Sequence, residues 1–85
     1  MTVVALMWEA RAAWDRGAEL LEWARAQVLA REPLRRETFR AGPDRVLVIT
    51  WWEAADVAAE LPELPEPADD VITRPVHRWR FESLG

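Results

Sequence analysis

The residues Leu34 to Trp52, LRRETFRAGPDRVLVITWW, decide how this chain folds. Two runs rich in strand-forming residues flank Ala41-Gly42-Pro43-Asp44, a cluster of turn formers, and this arrangement predicts an antiparallel hairpin. The run after the turn, Val46 to Trp52, is apolar at consecutive positions, so both of its faces are expected to leave water. We therefore expect this strand in the middle of a sheet.

The strand before the turn, Leu34 to Ala41, has a different pattern. Its alternate residues Arg36, Thr38 and Arg40 are all polar, which predicts an edge strand or a solvated face. Near the N-terminus, Val3 to Trp8 is again apolar on both faces and indicates a second central strand.

Two helices are predicted from the remaining sequence. The first runs from Asp15, a suitable N-cap, to about Arg31, and Pro33 stops it. The apolar stripe on which it would pack against the sheet consists of Leu20, Leu21, Ala24 and Val28. The second is a short, Ala-rich helix from Glu53 to about Leu61, ended by Pro62.

The C-terminal part of the chain is expected to be extended. Residues 62–70 hold three prolines and four acids, which predicts a stiff surface loop. A last strand is predicted from Val71 to Phe81, with Pro75 marking an edge or a bulge. If this strand lies beside the first, Trp8 and Trp79 are candidates for cross-strand neighbours.

The predicted order is strand, helix, strand, strand, helix, strand. In a ferredoxin-like β-α-β-β-α-β fold the first and third strands are central, and both helices cover one face of an antiparallel four-stranded sheet. The two doubly apolar runs occupy those central positions, so pattern and topology agree on an α+β fold. The other face of the central strands is apolar too, and we expect a second copy of the chain to cover it.

Composition limits the class of protein. With 85 residues the chain is one domain, 1–85, and 51% hydrophobic with 31% charged residues is typical of a soluble protein. No apolar run approaches the roughly 20 residues that span a bilayer, and no secretory leader is recognisable, so we expect a cytoplasmic protein without membrane contact. A net charge of −4 with dispersed arginines argues against nucleic-acid binding. Since there is no cysteine and only one histidine, no metal site is predicted, and no sequence feature leads us to expect a cofactor.

Six tryptophans in so short a chain are unusual. They are Trp8, Trp14, Trp23, Trp51, Trp52 and Trp79. One interpretation is that they fill the core and a subunit interface, and the other is that some of them line a pocket for an aromatic ligand. Trp51 and Trp52 must point to opposite faces of their strand, so one is expected to meet the helices and the other the second copy.

The chain resembles the dimeric α/β-barrel superfamily and, within it, the antibiotic-biosynthesis-monooxygenase-like group. The resemblance spans the whole chain and is carried by the turn Gly42-Pro43-Asp44, the strand Val46 to Trp51 with the following Trp52-Glu53-Ala54-Ala55-Asp56-Val57, and the closing Arg78-Trp79-Arg80-Phe81. It implies a homodimer, and for many members a small oxygenase that oxidises polycyclic aromatic substrates without metal or flavin. Other members degrade haem with an Asn on the first strand and a Trp and a His on the second helix. This sequence has no Asn, and its predicted second helix has neither Trp nor His.

His77 is the first candidate for a catalytic acid or base, because histidine is the side chain that ordinarily titrates near neutrality. It shares a predicted strand face with Trp79 and Phe81, beside which it could accept a phenolic proton from an aromatic substrate. Together with Trp8 and Trp52, these two aromatic residues are the candidate substrate-binding side chains. Two functional hypotheses remain: a cofactor-independent monooxygenase acting on an aromatic small molecule, or a non-catalytic ligand-binding or structural homodimer.

Overall fold

A computed structural model describes residues 1–85, which form four strands and one helix. The elements are β1 Thr2–Arg11, α1 Gly17–Ala26, β2 Arg35–Ala41, β3 Arg45–Ala54 and β4 His77–Ser83. The strands make one antiparallel sheet in the order β2-β3-β1-β4. The central positions of the first and third strands are therefore confirmed, and the α+β architecture is compatible with a ferredoxin-like fold. No helix is long and apolar enough to cross a membrane.

The hairpin predicted around the Gly42 turn is confirmed. Strands β2 and β3 pair from Arg35 opposite Trp51 to Ala41 opposite Arg45. Gly42 has a φ angle of 60°, in the left-handed region that glycine adopts without a steric penalty. Strand β3 also pairs with β1 along its whole length, which makes this pair the centre of the sheet.

Helix α1 is shorter than predicted at both ends. It begins at Gly17 and not after Asp15, whose φ of 59° lies in the left-handed region; no side chain caps the first turn. At the other end, Arg36 on β2 donates Nη2 to the carbonyl of Ala24 at 2.8 Å and Nη1 to that of Gln27 at 2.7 Å. A guanidinium thus binds two carbonyls at the C-terminal end of the helix, of which that of Ala24 also accepts the amide of Gln27 at 3.3 Å. This contact explains one of the polar residues of β2.

The prediction of a second helix is wrong. Strand β3 continues to Ala54, which pairs with Thr2, and residues 55–76 contain neither helix nor regular strand. A nine-residue helix is marginal without tertiary support. Instead, Asp56 accepts the amide of Ala58 on its Oδ1 at 2.8 Å, a local bond that competes with helical hydrogen bonding.

The irregular segment 55–76 takes the place of the missing helix on the sheet. Leu64, Val71 and Val76 in this segment are buried, so the prediction of a surface loop at 62–70 is only partly right. Two arginines of β4 hold it: Arg78 donates to the carbonyl of Leu64 at 2.7 Å, and Arg80 to that of Ala59 at 2.6 Å.

The last strand is shorter than the predicted Val71–Phe81. Val76, next to Pro75, donates its amide to the carboxylate of Glu66 and not to a neighbouring strand. The backbone of residues 71–76 pairs with the N-terminal part of the chain only through an isolated bridge between Ala12 and Ile72. Regular pairing with β1 begins at His77.

The core lies between the sheet and the layer formed by α1 and segment 55–76. A larger cluster surrounds Trp8, Leu20 and Val48, and a smaller one surrounds Val4 and Trp52. Leu29, after the helix, packs against both. The opposite side of the sheet has no covering element.

Candidate functional site

The five residues predicted to form a site lie on opposite sides of the sheet. Trp8 and Trp52 belong to the core clusters on the helix side. His77, Trp79 and Phe81 alternate with Arg78 and Arg80 and point to the uncovered side. Within one chain, the structure therefore does not bring these five side chains into a single pocket.

The register of β4 explains this separation. Trp79 is opposite Met7, and Trp8 is opposite Arg78. Since side chains directly opposite each other share a face, Trp8 and Trp79 are on different faces. The predicted pairing of these two tryptophans is therefore wrong by one residue.

The two tryptophans on the helix side are fully engaged by their own chain. Trp8 is 3% exposed, stacks on Trp23 with ring centroids 5.9 Å apart, and donates Nε1 to the carbonyl of Pro65 at 3.1 Å. Trp52 is 2% exposed and donates Nε1 to Oγ1 of Thr50 at 2.9 Å. The cavity beside Trp8 has a volume of only about 10 Å³, far below the size of an aromatic ligand.

The uncovered side of the sheet, which we call the open face, is mainly apolar, with the ion pair of Arg35 and Glu37 on its β2 edge. Its apolar side chains are Val3, Ala5, Met7, Phe39, Leu47, Ile49, Trp51, Trp79 and Phe81. Trp79 is 43% and Phe81 53% exposed, although both belong to a strand that is paired with β1. Ala5 and Ile49 near the centre are already buried, whereas the aromatic side chains towards the edges are exposed, and exposed apolar side chains grouped on one face are typical of an interaction site. Trp51 lies here and Trp52 on the helix side, as the alternation predicts.

A charged cluster interrupts the open face at one end. Glu9 has a side chain only 5% exposed, and its carboxylate accepts Nε of Arg45 at 3.0 Å and Nη2 of Arg74 at 2.6 Å. Nδ1 of His77 lies 3.6 Å from Oε1 of Glu9. The His77 ring meets Trp79 edge-on, with centroids 5.5 Å apart. His77 thus connects an acid–base cluster to the aromatic part of the open face.

The ionisation of Glu9 follows from this cluster. Burial raises the pKa of the Glu9 carboxyl, but the hydrogen bonds and charges of Arg74 and Arg45 outweigh it and hold the pKa below its ordinary value. Glu9 is therefore an anion that orients two guanidinium groups. As a carboxylate it holds no proton at neutral pH, so it cannot serve as a general acid there.

Sequence reasoning missed three members of the cluster. Glu9 follows Val3, Ala5 and Met7 at alternate positions of β1, so an acid ending an apolar stripe was a usable signal. Arg74 comes from the irregular segment, 65 residues from Glu9 in the chain, and no local pattern places it there. Arg45 lies between the predicted turn, which ends at Asp44, and the predicted strand, which begins at Val46, and neither pattern indicates a role for it.

Comparisons with protein-family models, with curated proteins and with solved structures gave no match to this chain. The resemblance to the antibiotic-biosynthesis-monooxygenase-like group stays a prediction from the sequence. Among the side chains, no group of three or more His, Asp or Glu is placed to hold a metal ion. The open face and its charged cluster are consequently the features from which function has to be argued.

Proposed function

We propose that the protein is a homodimer joined through the open face, and that it serves as a non-catalytic binding or structural module. The observation that carries this proposal is the difference between the two faces of the sheet: α1 and segment 55–76 cover one face, and no element covers the other, largely apolar face. Trp79 and Phe81 are about half exposed on the open face, whereas Trp8 and Trp52 are buried. Covering the open face removes large aromatic surfaces from water, which is favourable by roughly 25 cal/mol per Å².

The open face is large enough for a stable dimer. Four strands spaced about 4.8 Å apart, with up to ten residues rising about 3.3 Å each, give a flat area of roughly 600 Å². Side-chain relief increases the accessible area beyond this value. Standard stable interfaces bury about 800 Å² on each partner, so the open face is of the right order.

The charges of the open face favour a two-fold arrangement. Arg45 and Arg74, with Glu9 between them, carry one net positive charge at one end of the face. Glu53, which is exposed, is at the other end of β3, where the nearby Arg35 is already paired with Glu37. Glu53 is opposite Val3 and thus points to the same side. A two-fold axis near Ile49, midway along β3, brings the acidic end of each copy over the basic end of the other.

The test is the oligomeric state of variants that put a charge on the open face. We expect the wild type to sediment as a dimer at micromolar concentration, and Trp79→Glu or Phe81→Glu to sediment as a folded monomer, because a buried unpaired carboxylate opposes association. Val28→Glu is the matched control, since Val28 is 94% exposed and outside the open face. A wild-type monomer, or an equal effect of the control, contradicts the proposal.

A second candidate function, cofactor-independent oxidation of an aromatic substrate, is favoured by the position of His77. Its ring lies against Trp79 and beside the carboxylate of Glu9, where it can accept a proton from a phenol. The substrate must itself supply the electrons: a ring methylene becomes a carbonyl, one oxygen atom of O₂ enters the product and the other leaves as water. Such a site would lie between the two open faces of the dimer.

This candidate is tested by oxygen consumption with hydroxylated polycyclic aromatics that carry a ring methylene. Turnover that is lost in His77→Ala, while the variant stays dimeric, supports an enzyme. Absence of turnover in the wild-type dimer, or full turnover in His77→Ala, excludes this role for His77. Turnover would contradict the non-catalytic role proposed above, whereas the homodimer is independent of either result.

A further inference from the structure

A cleft lies on the helix side of the sheet, away from the open face, where the start of α1 meets the β2–β3 turn. It has a volume of about 740 Å³, within the range of small-molecule sites. Small residues, Ala12, Ala13 and Ala18, give its lining room for a flat ligand, and Trp14 and Arg40 are its largest side chains. Arg40 is opposite the buried Val46 and therefore points to the helix side of the sheet.

Trp14 projects into solvent from a turn that backbone hydrogen bonds close. Its side chain is 91% exposed, the highest value for any tryptophan in the chain. The preceding Ala13 donates its amide to the carbonyl of Val71 at 2.7 Å, and its own carbonyl accepts the amide of Arg16 at 3.0 Å. The turn that these bonds close includes Asp15 in the left-handed region, a conformation that costs energy for a residue other than glycine. A large ring presented on an ordered turn is typical of a contact residue for a ligand or partner.

Arg40 is a guanidinium without a protein partner. Nine of the eleven arginines form an ion pair, a hydrogen bond or a contact over an aromatic ring. The two exceptions are Arg40, in the cleft, and Arg25, on the exposed side of α1. Arg16, close to the cleft, is already bound to Glu19 and Asp70.

The charges around the cleft are balanced, and Arg40 and Asp15 are the two charged lining residues that have no protein partner. Asp44 is paired with Arg11, whose Nε lies 3.5 Å from Oδ2, so its charge is compensated. Asp15 is exposed at the rim and disfavours ligands with several negative charges. Arg40 remains as the single cation of the lining without a protein partner, and Trp14 lines the same cleft.

We propose that this cleft binds a planar aromatic monocarboxylate, whose ring stacks on Trp14 and whose carboxylate is bound by Arg40. Aromatic rings attract each other in offset stacks, and a guanidinium binds a carboxylate through two parallel hydrogen bonds. The hydroxyl of Thr73, also in the lining, is available as a further donor. The site does not depend on dimerisation, because it lies on the other side of the sheet from the open face.

The first experiment is a calorimetric titration of the full chain with 2-naphthoate and with the neutral 2-naphthamide. We expect saturable binding of one naphthoate per chain, and roughly tenfold weaker binding of the amide, which keeps the ring but loses the charge-assisted bond. No saturable binding of naphthoate up to millimolar concentration overturns the proposal. Equal binding of the two compounds overturns the role of Arg40.

Variants locate the site. Arg40→Gln and Trp14→Ala should each weaken naphthoate binding about tenfold, and both should fold, because these side chains make no hydrogen bond within the protein. Arg25→Gln removes the other unpartnered arginine and should leave the affinity unchanged. Equal weakening by Arg25→Gln and Arg40→Gln indicates nonspecific charge attraction and contradicts the proposal.

Discussion

Gly17 shows how a single residue fixes the approach of two elements. It begins α1 where the helix meets the β2–β3 turn, and a β-carbon at this position would lie 1.7 Å from the carbonyl oxygen of Pro43. The obstacle is backbone, so it cannot move aside as a flexible side chain could. The carbonyl of the next residue, Asp44, accepts the amide of Ala12 at 2.6 Å, which ties the same turn to the end of β1.

We expect Gly17→Ala to destabilise the protein by about 1–3 kcal/mol, although alanine is the better helix former, because the helix and the turn must separate. Urea unfolding measures the change. Glu22→Ala is the control, since Glu22 is also in α1 but is exposed. A stabilised Gly17→Ala variant would mean that the turn can move away at little cost.

Glu9 links the stability of the protein to pH. Because its pKa in the folded state is lower than the ordinary 4.5, its contribution is fully present above about pH 4.5 and is lost as the pH falls through the lower folded value. Glu9→Gln should reduce stability at pH 7 by about 1–3 kcal/mol. The variant should also lose less stability than the wild type on acidification.

Urea unfolding at neutral and acidic pH, at one protein concentration, measures both effects. Glu82→Gln is a suitable control, because Glu82 is exposed and its carboxylate makes no ion pair. Parallel pH profiles for wild type and Glu9→Gln would show that Glu9 does not carry the acid response.

At the scale of elements, the segment 55–76 packs on one sheet face without regular secondary structure. Its carbonyls are bound by side chains and not by a helix: Arg80 donates to those of Val57 and Ala59, and Arg78 to that of Leu64. Arg80 also contacts Glu63 at 3.1 Å. Strand β4 therefore does more than complete the sheet, because its helix-side arginines order the neighbouring segment.

Arg80→Met, which keeps the length of the side chain but removes its donors, should destabilise the protein by about 1–3 kcal/mol. Native-state hydrogen exchange should become faster at amides in residues 56–64 before it changes in β1 or β3. Arg25→Met is the matched control and should change stability by less than about 0.5 kcal/mol. Uniformly faster exchange in all strands would contradict a local role for Arg80.

For the molecule as a whole, the sequence predicted the sheet better than what covers it. Val3 to Trp8 and Val46 to Trp52 are apolar on both faces, and such runs are stable only at the centre of a sheet. The region 53–61 looks helical from composition alone, but the pairing of Ala54 with Thr2 extends β3 into it. The charged cluster as a whole could not be predicted for a similar reason. Its members Arg74 and Glu9 are 65 residues apart in the chain, and only the fold brings them together.

The arrangement of two copies can be tested by the charge at the end of β3. Glu53→Arg should weaken the proposed dimer, because it places a third cation near Arg45 and Arg74 of the other copy. The dimer dissociation constant from sedimentation, at low and at high salt, measures this effect. Glu60→Arg is the control, since Glu60 is exposed and outside the strands. Equal affinity of the wild type and Glu53→Arg would exclude the two-fold arrangement about Ile49.

The pairing of β1 with β4 has a consequence for the order of folding. Val3 lies opposite Ser83, so the second residue of the first strand meets the last residue of the fourth across 80 residues of chain. Contacts of such sequence separation require the closure of long loops and slow the folding of small domains. During synthesis, β1 can pair with β3 only after the residues up to Ala54 have left the ribosome, and with β4 only after those up to Ser83 have done so. We therefore expect the hairpin of β2 and β3 to form first and the N-terminal strand to join it late.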